Sequence, residues 1–588
     1  MTYDSEKEIA SAYFDASDTE IKSIFLPFDG EGVAVIHATD EGNEHPYALG
    51  EIAFNSNDSK SGYAFVDLAG RANSLIVEVP HEGDYVDDLA TIMVNVAIPF
   101  DISIKRTLVI LLGIMILLAW GSRSFPLLSL PFRKSMKVNI ALWLLVAIPT
   151  FLILVFVSFP CNIQTGTYDS FQHHEYFELA KSLAQGHVYL DLEVSPELAS
   201  MENPYDTVAR ERGMVPFYWD YAYFQGRYYS YFGVLPCLLY HLPFYFLTGG
   251  ELLNEWAVLF SILFLIAGTV YLLNTIVDRW FPGISWGTYL FGYAVLIVGS
   301  WGIFRIRHAN LYSVPIVTGL ACAVFAVAFW ISSTRGSKIS LPRAVMGTLC
   351  ASLTLACRPQ LFLVSVFGLV LFLDAMKKGA GRGAKTLVVF SPLVVVGVFV
   401  CLYNYLRFGS LLDFGASYNL TTNDMTHRGF SIVQSFESLY YYLVSPLSLS
   451  ASYPYVNPEM PVSWSLGLLV TQGLPGGILL MTPVLVTGLL LFTKSIEVDP
   501  VVRCMGVISL ALALFLIVFD GMGAGILVRY FSDFGFFIAL PAVFAQLALF
   551  QRCECMGGVE HIARIAMTIL LSVSVVLQLV YAFFSPVY

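Results

Sequence analysis

Three carboxylates stand out in a polar segment, residues 161–231, that lies between two long apolar runs. Asp169 and Glu175 lie in its first part and Asp220 near its end. An available carboxylate can remove a proton from a hydroxyl group, so each is a candidate general base. Ionisable groups gathered at one face of a membrane protein usually serve its function. We therefore expect this segment to form a catalytic face.

The apolar spacing after Asp169 predicts a helix over residues 169–185 that lies along the membrane and ends at Gly186. At the helix start, Asp169 is either a base kept ionised by the helix dipole or only a helix cap. The adjacent His173 and His174 raise a metal site as an alternative, but no partner at helical spacing supports it. A divalent metal stays open, and no metal ligand is assigned.

Aromatic and polar residues alternate at the end of the polar segment. The rings of Trp219, Tyr221 and Tyr228 are candidates for stacking on a sugar, and they are equally typical of an aromatic belt at the headgroups. Arg227 is a candidate ligand for a phosphate leaving group. Asp220 is a candidate for orienting either that phosphate or the acceptor.

The composition indicates a polytopic membrane protein. Of 588 residues, 56% are hydrophobic and only 13% are charged, about half the charged fraction of soluble domains. The acidity is confined to one region: residues 1–106 hold 20 Asp and Glu against 6 Lys and Arg, and the remainder carries a net charge of about +2. An acidic head and a nearly neutral membrane part argue against nucleic acid as a partner.

Residues 1–105 predict a β-rich acidic domain outside the cytoplasm. Short alternating runs, beginning at Gly32, Tyr63 and Ser74, are separated by turn residues and favour an antiparallel β-sandwich. Its acidic residues are typical of a solvated surface, with sugar binding or docking as the alternative. If this N-terminal domain lies outside the cytoplasm, something must carry it across the membrane. We expect either a spanning segment upstream of it or translocation of the N-terminus by the first span.

The rest of the chain predicts about twelve transmembrane helices. One helix and a basic cytoplasmic loop occupy 106–137, and 138–588 forms the main membrane domain with outside loops at 161–251 and 405–466. The predicted spans are 107–121, 138–160, 252–276, 285–303, 311–332, 342–356, 360–376, 386–404, 467–493, 503–519, 534–550 and 562–583. Lys and Arg in the short loops set the orientation. It requires residues 233–248 to lie on the outer face without crossing.

Several arginines fall on the outer side of these spans, against the usual charge bias. They are Arg305, Arg307, Arg358, Arg407 and Arg529, and Asp520 lies on the same side. Binding of a phosphate at the membrane surface would explain them, because guanidinium groups match phosphate oxygens.

The order of these motifs resembles the GT-C superfamily of polyprenyl-phosphate-sugar glycosyltransferases. The bacterial relatives of protein O-mannosyltransferases and of the lipid A aminoarabinose transferase are nearest in style. The resemblance covers roughly residues 138–550. Four loose motifs carry it: the helix motif after Asp169, the run Gly226-Arg-Tyr-Tyr-Ser-Tyr-Phe-Gly, the run that begins at Asn404, and Arg529-Tyr530.

The resemblance implies an enzyme of the plasma membrane whose active face is extracytoplasmic. The implied donor is a polyprenyl-phosphate sugar and the implied acceptor an envelope glycan or lipid. Asp169 best matches the family's catalytic acid residue, and the arginines, Arg227 included, would stabilise the departing phosphate. Some members have an Asp-Glu pair where this chain has Asp169-Ser170, so Glu175 and Asp220 stay alternatives for the base.

Two other classes compete with an enzyme. A transporter would place ionisable groups and broken helices near the bilayer midplane, often in repeated halves. Here the charged groups lie at span ends and in outside loops, without a visible repeat. A non-catalytic envelope scaffold, with the acidic head as its interaction module, is the second alternative.

Overall fold

A computed structural model gives the fold of the chain. It describes residues 2–584 except 5–8, 29–30, 42, 56–60, 67, 69, 81–91, 97–103, 105–106, 109–110, 116–128, 133–137, 139, 141, 159–173, 303–304, 306–308, 336–338, 378–383, 422–423, 428–430, 450–455, 457–472, 495 and 554–557.

The N-terminal region folds as two antiparallel β-sheets. Its strands are β1 (Thr2–Asp4), β2 (Ile9–Thr19), β3 (Ser23–Phe25), β4 (Glu31–Asp40), β5 (Asn43–Asn55), β6 (Tyr63–Phe65), β7 (Ala72–Pro80) and β8 (Met93–Val94). One sheet has the order β1-β2-β7-β4-β5 and the other β6-β3-β8. Alternate residues such as Ile36 on β4 and Val77 on β7 are buried in one core, because successive side chains of a strand point to opposite faces. The predicted β-rich domain is confirmed.

Helices make up the rest of the described chain. Their bounds are Ile148–Ser158, Glu175–Gln185, Pro196–Ser200, Thr207–Arg212, Val234–Thr248, Asn254–Trp280, Trp286–Gly299, Ser313–Ser333, Leu341–Leu353, Ser365–Lys377, Ala384–Phe408, Ile432–Val444, Ile478–Met481, Pro500–Ala524, Phe531–Cys553 and Gly558–Phe584. Tighter 3-10 segments occupy Thr354–Ala356, Pro359–Val364, Pro483–Phe492 and Val528–Tyr530.

Seven helices in the described part of the chain are long and apolar enough to span a membrane. They match the predicted spans at 252–276, 311–332, 360–376, 386–404, 503–519, 534–550 and 562–583. Apolar helices also occur at three further predicted spans, but Trp286–Gly299, Leu341–Ala356 and Pro483–Phe492 are shorter. The predicted spans 107–121 and 138–160 lie partly outside the described residues. The chain is a polytopic helical membrane protein, and the number twelve stays a prediction.

The helix Phe531–Cys553 lies at the centre of the bundle. It packs against the helices that begin at Trp286 and Pro500 and against the segment Pro483–Phe492. Its apolar residues are spread around the whole circumference, as expected of a helix buried on all sides. Six of its phenylalanines are buried: Phe531, Phe534, Phe536, Phe537, Phe544 and Phe550. This helix carries Asp533 near its start, and Arg529 lies in the 3-10 segment Val528–Tyr530 that precedes it.

A short amphipathic helix and a β-hairpin position the polar residues of the segment 161–231. The helix begins at Glu175, later than the predicted start, and ends at Gly186 as predicted, with φ +91° at that glycine. It packs on Val234–Thr248, where the Tyr176 ring stacks on His241 at 5.0 Å. Strands β9 (Ala222–Phe224) and β10 (Arg227–Tyr229) form the hairpin.

The two outside loops predicted from the sequence pair through their backbones. Asp220 donates its amide hydrogen to the Leu420 carbonyl at 2.8 Å, and Leu420 donates to the Tyr221 carbonyl at 3.0 Å. An isolated bridge joins Ala222 to Asn419. Residues distant in sequence are thereby held beside one another.

Candidate active site

Asp220 is fixed at the turn that leads into β9. Its backbone has φ +65°, a left-handed conformation that aspartate tolerates better than most residues. The residue is only 5% exposed. The backbone pairing with Leu420 therefore places a carboxylate inside the protein, where it needs hydrogen-bond donors.

Three side chains supply those donors. Asn419 donates from Nδ2 to Asp220 Oδ1 at 2.6 Å. The Tyr231 hydroxyl donates to the same oxygen at 3.3 Å, and the Tyr312 hydroxyl donates to Oδ2. Burial raises the pKa of the Asp220 carboxyl above its ordinary value, while these donors and the nearby Arg529 lower it. The donors favour the ionised carboxylate and hold it in one orientation.

Glu175 lies at the first turn of its helix and is completely buried. Neither of its carboxylate oxygens has a hydrogen-bond partner among the described residues. The Ser230 hydroxyl and the Tyr231 backbone amide lie near enough to lower its pKa slightly, without forming well-aligned hydrogen bonds. Burial dominates and raises the pKa well above its ordinary value of 4.5, and the charge of Asp220 raises it further. Its surroundings therefore disfavour the ionised form of Glu175 more than that of Asp220.

Arg529 lies on the other side of Asp220. Its guanidinium group stacks on the Tyr312 ring, with 4.1 Å between Cζ and the ring centroid, and lies 5.5 Å from that of Tyr530. It makes no hydrogen bond or ion pair with any described residue. Its charge lowers the pKa of Asp220. The aromatic rings position the guanidinium group and leave its N–H donors available for an anion.

Arg358 and Arg407 are committed to protein partners. Arg358 forms a bidentate ion pair with Asp533, donating from Nε at 3.3 Å and from the guanidinium terminus. Arg407 donates to the Ser230 carbonyl at 2.5 Å and to Asn404 Oδ1 at 2.7 Å. Both guanidinium groups therefore stabilise the walls of the site.

The remaining predicted cations divide into three locations. Arg305 is 3% exposed, and its charge interacts with those of Arg529 and Asp533. Arg227 lies exposed on β10 with its guanidinium group 4.1 Å from the centroid of the Tyr189 ring, outside the buried cluster. Arg307 lies outside the described residues, as do Asp169 and His173.

The predicted aromatic residues mainly pack on one another. Tyr228 is fully buried and Tyr221 is 4% exposed, with their ring centroids 6.3 Å apart and Tyr218 packed against both. Neither ring offers an open face to a sugar in this conformation. Trp219 is partly exposed. Stacking on a sugar stays a prediction for all three.

Sequence reasoning missed four residues of the site: Asp533, Tyr231, Tyr312 and Asn419. Asp533 had a recognisable signal, because it follows Arg529 by four residues at the start of an apolar helix, where a carboxylate needs a cation. Tyr231 lies at the end of the aromatic run. Tyr312 and Asn419 had no signal in the sequence, since the hydrogen bonds they make to Asp220 join residues 92 and 199 positions apart.

Asp520 is the remaining buried acid of this cluster. Gln360 donates from Nε2 to its Oδ1 at 3.3 Å, while Oδ2 has no partner among the described residues. Its charge interacts with those of Asp533 and Arg358.

Among the described residues, no group of three or more His, Cys, Asp or Glu side chains is arranged to hold a metal ion. The donors present do not form a metal site, and we derive no step through one.

Two of the solved structures that are similar to this chain are membrane proteins of larger or comparable length. One is the crystal structure of ArnT from Cupriavidus metallidurans bound to undecaprenyl phosphate, with 12% identity and a TM-score of 0.36 over 75% of this chain and 77% of that one. The other is the cryo-EM structure of arabinosyltransferase EmbB from Mycobacterium smegmatis, with 12% identity and a TM-score of 0.35 over 92% of this chain and 50% of that one.

The identities and TM-scores are too low to assign any residue of the site. No protein-family model matches the sequence, and no curated protein matches it either.

Proposed function

We propose that the protein is a membrane glycosyltransferase. It moves a sugar from a polyprenyl-phosphate donor to a cell-envelope acceptor at the extracytoplasmic face of the plasma membrane. The observation that carries the proposal is the proximity of Asp220 to Arg529. A buried, oriented carboxylate lies near a guanidinium group that stacks on Tyr312 and has no hydrogen-bonding partner among the described residues.

This pair matches the two needs of the reaction. Asp220 takes the proton of the acceptor hydroxyl as the acceptor oxygen forms a bond to the anomeric carbon. The bond from that carbon to the phosphate oxygen breaks, and the polyprenyl phosphate leaves with the electron pair. Arg529 stabilises the negative charge that develops on the leaving phosphate. Displacement from the opposite face inverts the anomeric carbon.

Of the two described carboxylates, Asp220 suits the base better than Glu175. Burial raises the pKa of both carboxyls, but three donors and Arg529 oppose that rise at Asp220. Neither oxygen of Glu175 has a hydrogen-bond partner among the described residues, and its pKa is raised well above its ordinary value. Asp169, the residue favoured by the family resemblance, is the alternative base.

The apolar helices supply the second requirement, access for a lipid-linked donor. The helix Ala384–Phe408 exposes Leu402, Tyr405 and Leu406 on its surface up to the end that carries Arg407. An apolar surface that continues to the level of the arginines lets a donor enter from the bilayer with its phosphate at the site. A transporter would instead need its ionisable groups near the midplane.

Transfer from a panel of radiolabelled polyprenyl-phosphate sugars, in membranes that hold each variant, tests the proposal. We expect transfer by the wild type and loss of transfer in Asp220→Asn at equal expression. Asp206→Asn is the matched control, because Asp206 is an exposed helix cap and asparagine caps helices equally well. Loss in Asp169→Asn with full activity in Asp220→Asn would move the base to Asp169. Absence of transfer from every donor would contradict the proposed glycosyltransferase activity.

A further inference from the structure

A partly exposed aromatic surface lies beside the candidate active site. Tyr205, Phe224 and Tyr418 form it, and we call it the aromatic ledge. The rings of Phe224 and Tyr418 have centroids 4.5 Å apart, and those of Tyr205 and Tyr418 are 6.2 Å apart. The ledge uses none of the residues in which sequence reasoning placed sugar stacking.

Hydrogen bonds make the ledge rigid. Tyr418 donates its hydroxyl to Asp413 Oδ2 at 2.8 Å, and Asp413 Oδ1 accepts the Gly415 amide hydrogen at 2.8 Å. Tyr205 donates its hydroxyl to the Tyr223 carbonyl at 2.7 Å. Aromatic faces that are already fixed bind a ligand without a large entropic cost.

The ledge is continuous with the buried carboxylate. Tyr418 directly precedes Asn419, whose side chain donates to Asp220. In extended backbone, successive side chains point to opposite sides, and Asn419 has extended backbone with φ −73° and ψ 128°. The Tyr418 ring therefore lies at the surface while its neighbour reaches the reacting carboxylate.

The charges around the ledge decide what kind of molecule it suits. Burial, followed by the charges of Tyr418, Tyr223, Asp413 and Asp424, raises the pKa of the Tyr205 hydroxyl to about 12, so both carboxylates lie near the ledge. Arg210 is 2% exposed and donates to the carbonyls of Pro204 and Thr421. Arg227, the cross-strand partner of Phe224, has its guanidinium group over the Tyr189 ring. Carboxylates beside aromatic faces accept hydrogen bonds from hydroxyl groups and repel anions. An anionic headgroup is thus disfavoured, and a neutral sugar is favoured.

We infer that the aromatic ledge binds the acceptor, and that the acceptor is a neutral saccharide of at least two sugars. The terminal sugar presents its hydroxyl to Asp220, and the following sugar stacks on Phe224 and Tyr418. This inference rests on the proposed function for its reaction, but the binding site itself does not depend on transfer.

Direct binding therefore tests it first. Purified wild-type protein in nanodiscs is titrated with mannotriose, arabinotriose, chitotriose and a galacturonic acid trimer, with saturation-transfer NMR as the readout. We expect at least one neutral trimer to bind and the anionic trimer not to bind. Phe224→Leu, which keeps an apolar side chain but removes the ring, should weaken binding about three- to tenfold, the size of an aromatic contact.

Phe246→Leu is the matched control, because Phe246 is 67% exposed on the helix Val234–Thr248 and contributes neither to the ledge nor to the donor surface. Its binding should equal that of the wild type. Equal weakening in both variants would mean that the ledge only anchors the protein at the headgroups. Tighter binding of the anionic trimer than of every neutral one would also overturn the inference.

Transfer kinetics separate this inference from the proposed function. With a two-sugar acceptor, Phe224→Leu should raise KM and leave kcat nearly unchanged, whereas with a single-sugar acceptor it should match the wild type. Transfer with unchanged KM values would contradict acceptor binding at the ledge and leave the proposed enzyme activity standing. Saccharide binding without transfer from any donor would support binding at the ledge and contradict the enzyme activity.

Discussion

Asn419 donates a 2.6 Å hydrogen bond to Asp220 across 199 residues of sequence. This bond joins the two large outside loops and orients the carboxylate toward the region of Arg529. Asn419 therefore acts as a positioning residue for the proposed base. The consequences of this arrangement can be measured separately for the carboxylate, its donor, the phosphate site and the supporting ion pair.

Replacing Asp220 by asparagine should lower transfer by about 100-fold or more, because general-base catalysis contributes about that much. Asparagine also tolerates the left-handed backbone at this position, where φ is +65°, so the variant should fold. Initial rates and thermal stability are the two measurements. An Asp220→Asn enzyme with wild-type kcat would exclude Asp220 as the base.

Removing the donor should change the pH dependence of transfer. In Asn419→Leu the Asp220 carboxylate loses the amide donor at 2.6 Å. The pKa of Asp220 therefore rises, and the acid limb of the pH–rate profile moves to higher pH. The lost bond to a charged group should also destabilise the protein by about 1.5–3 kcal/mol. A profile that only scales down, without moving, would show that Asn419 has a structural role alone.

Arg529→Gln should weaken binding of a polyprenyl-phosphate sugar. It removes the guanidinium group that lies near Asp220 and has no hydrogen-bonding partner among the described residues. A loss of about 2 kcal/mol or more, roughly 30-fold in affinity, is expected for a charged hydrogen bond to phosphate. Arg227→Gln, which removes an exposed arginine outside the cluster, is the control and should bind normally. Equal weakening by both substitutions would indicate nonspecific electrostatics.

How much of this could be predicted from the sequence depends on the range of each interaction. The apolar runs gave the spans, and the alternating runs gave the β-rich head, because both patterns are local. Glu175 and Asp220 were also recognisable as carboxylates in the polar segment 161–231, and Arg529 as a cation on the predicted outer side of a span. Their combination was not, because it depends on the pairing of Asp220 with Leu420 across distant loops.

The roles of the arginines illustrate the same limit. Arg358, Arg407 and Arg529 look alike in sequence, each being a cation at the outer end of a span. Only the packed structure distinguishes them, because Asp533 pairs with the first and Ser230 accepts from the second. Tyr228 is a further example. Its position in the aromatic run makes it a candidate for stacking on a sugar, but its ring is fully buried in the structure.

Glu175 should make stability depend on pH. Burial raises its pKa in the folded protein well above the ordinary value of 4.5, which applies to the unfolded chain. Its contribution to stability is therefore complete below the unfolded pKa and is lost as the pH rises through the folded pKa. Glu175→Gln should remove this part of the pH dependence and be at least as stable as the wild type at high pH. Thermal unfolding from pH 4 to pH 9 measures it.

The control for that series is Glu202→Gln, since Glu202 is exposed. Its unfolding temperatures should follow those of the wild type throughout. A Glu175→Gln curve parallel to that of the wild type would show that Glu175 is ionised in the folded protein.

The Arg358–Asp533 ion pair should support the site rather than bind substrate. Arg358→Gln leaves Asp533 near Asp520 without its ion-pair partner, so it should destabilise the protein by about 3–5 kcal/mol, more than Asp533→Asn does. The double substitution should cost less than the sum of the two. Donor affinity of the folded Asp533→Asn protein is the check, and a large loss at unchanged stability would make this pair part of the phosphate site.

The most direct test of the central claim uses proteoliposomes that contain the purified protein and a radiolabelled polyprenyl-phosphate sugar. An impermeant neutral oligosaccharide is added as acceptor, and radiolabel on that oligosaccharide is counted. We expect label to appear with the wild type and with Arg227→Gln, and to be lost with Asp220→Asn and with Arg529→Gln. Equal labelling by all four proteins, or none by the wild type with any donor, would contradict a glycosyltransferase built on the Asp220–Arg529 pair.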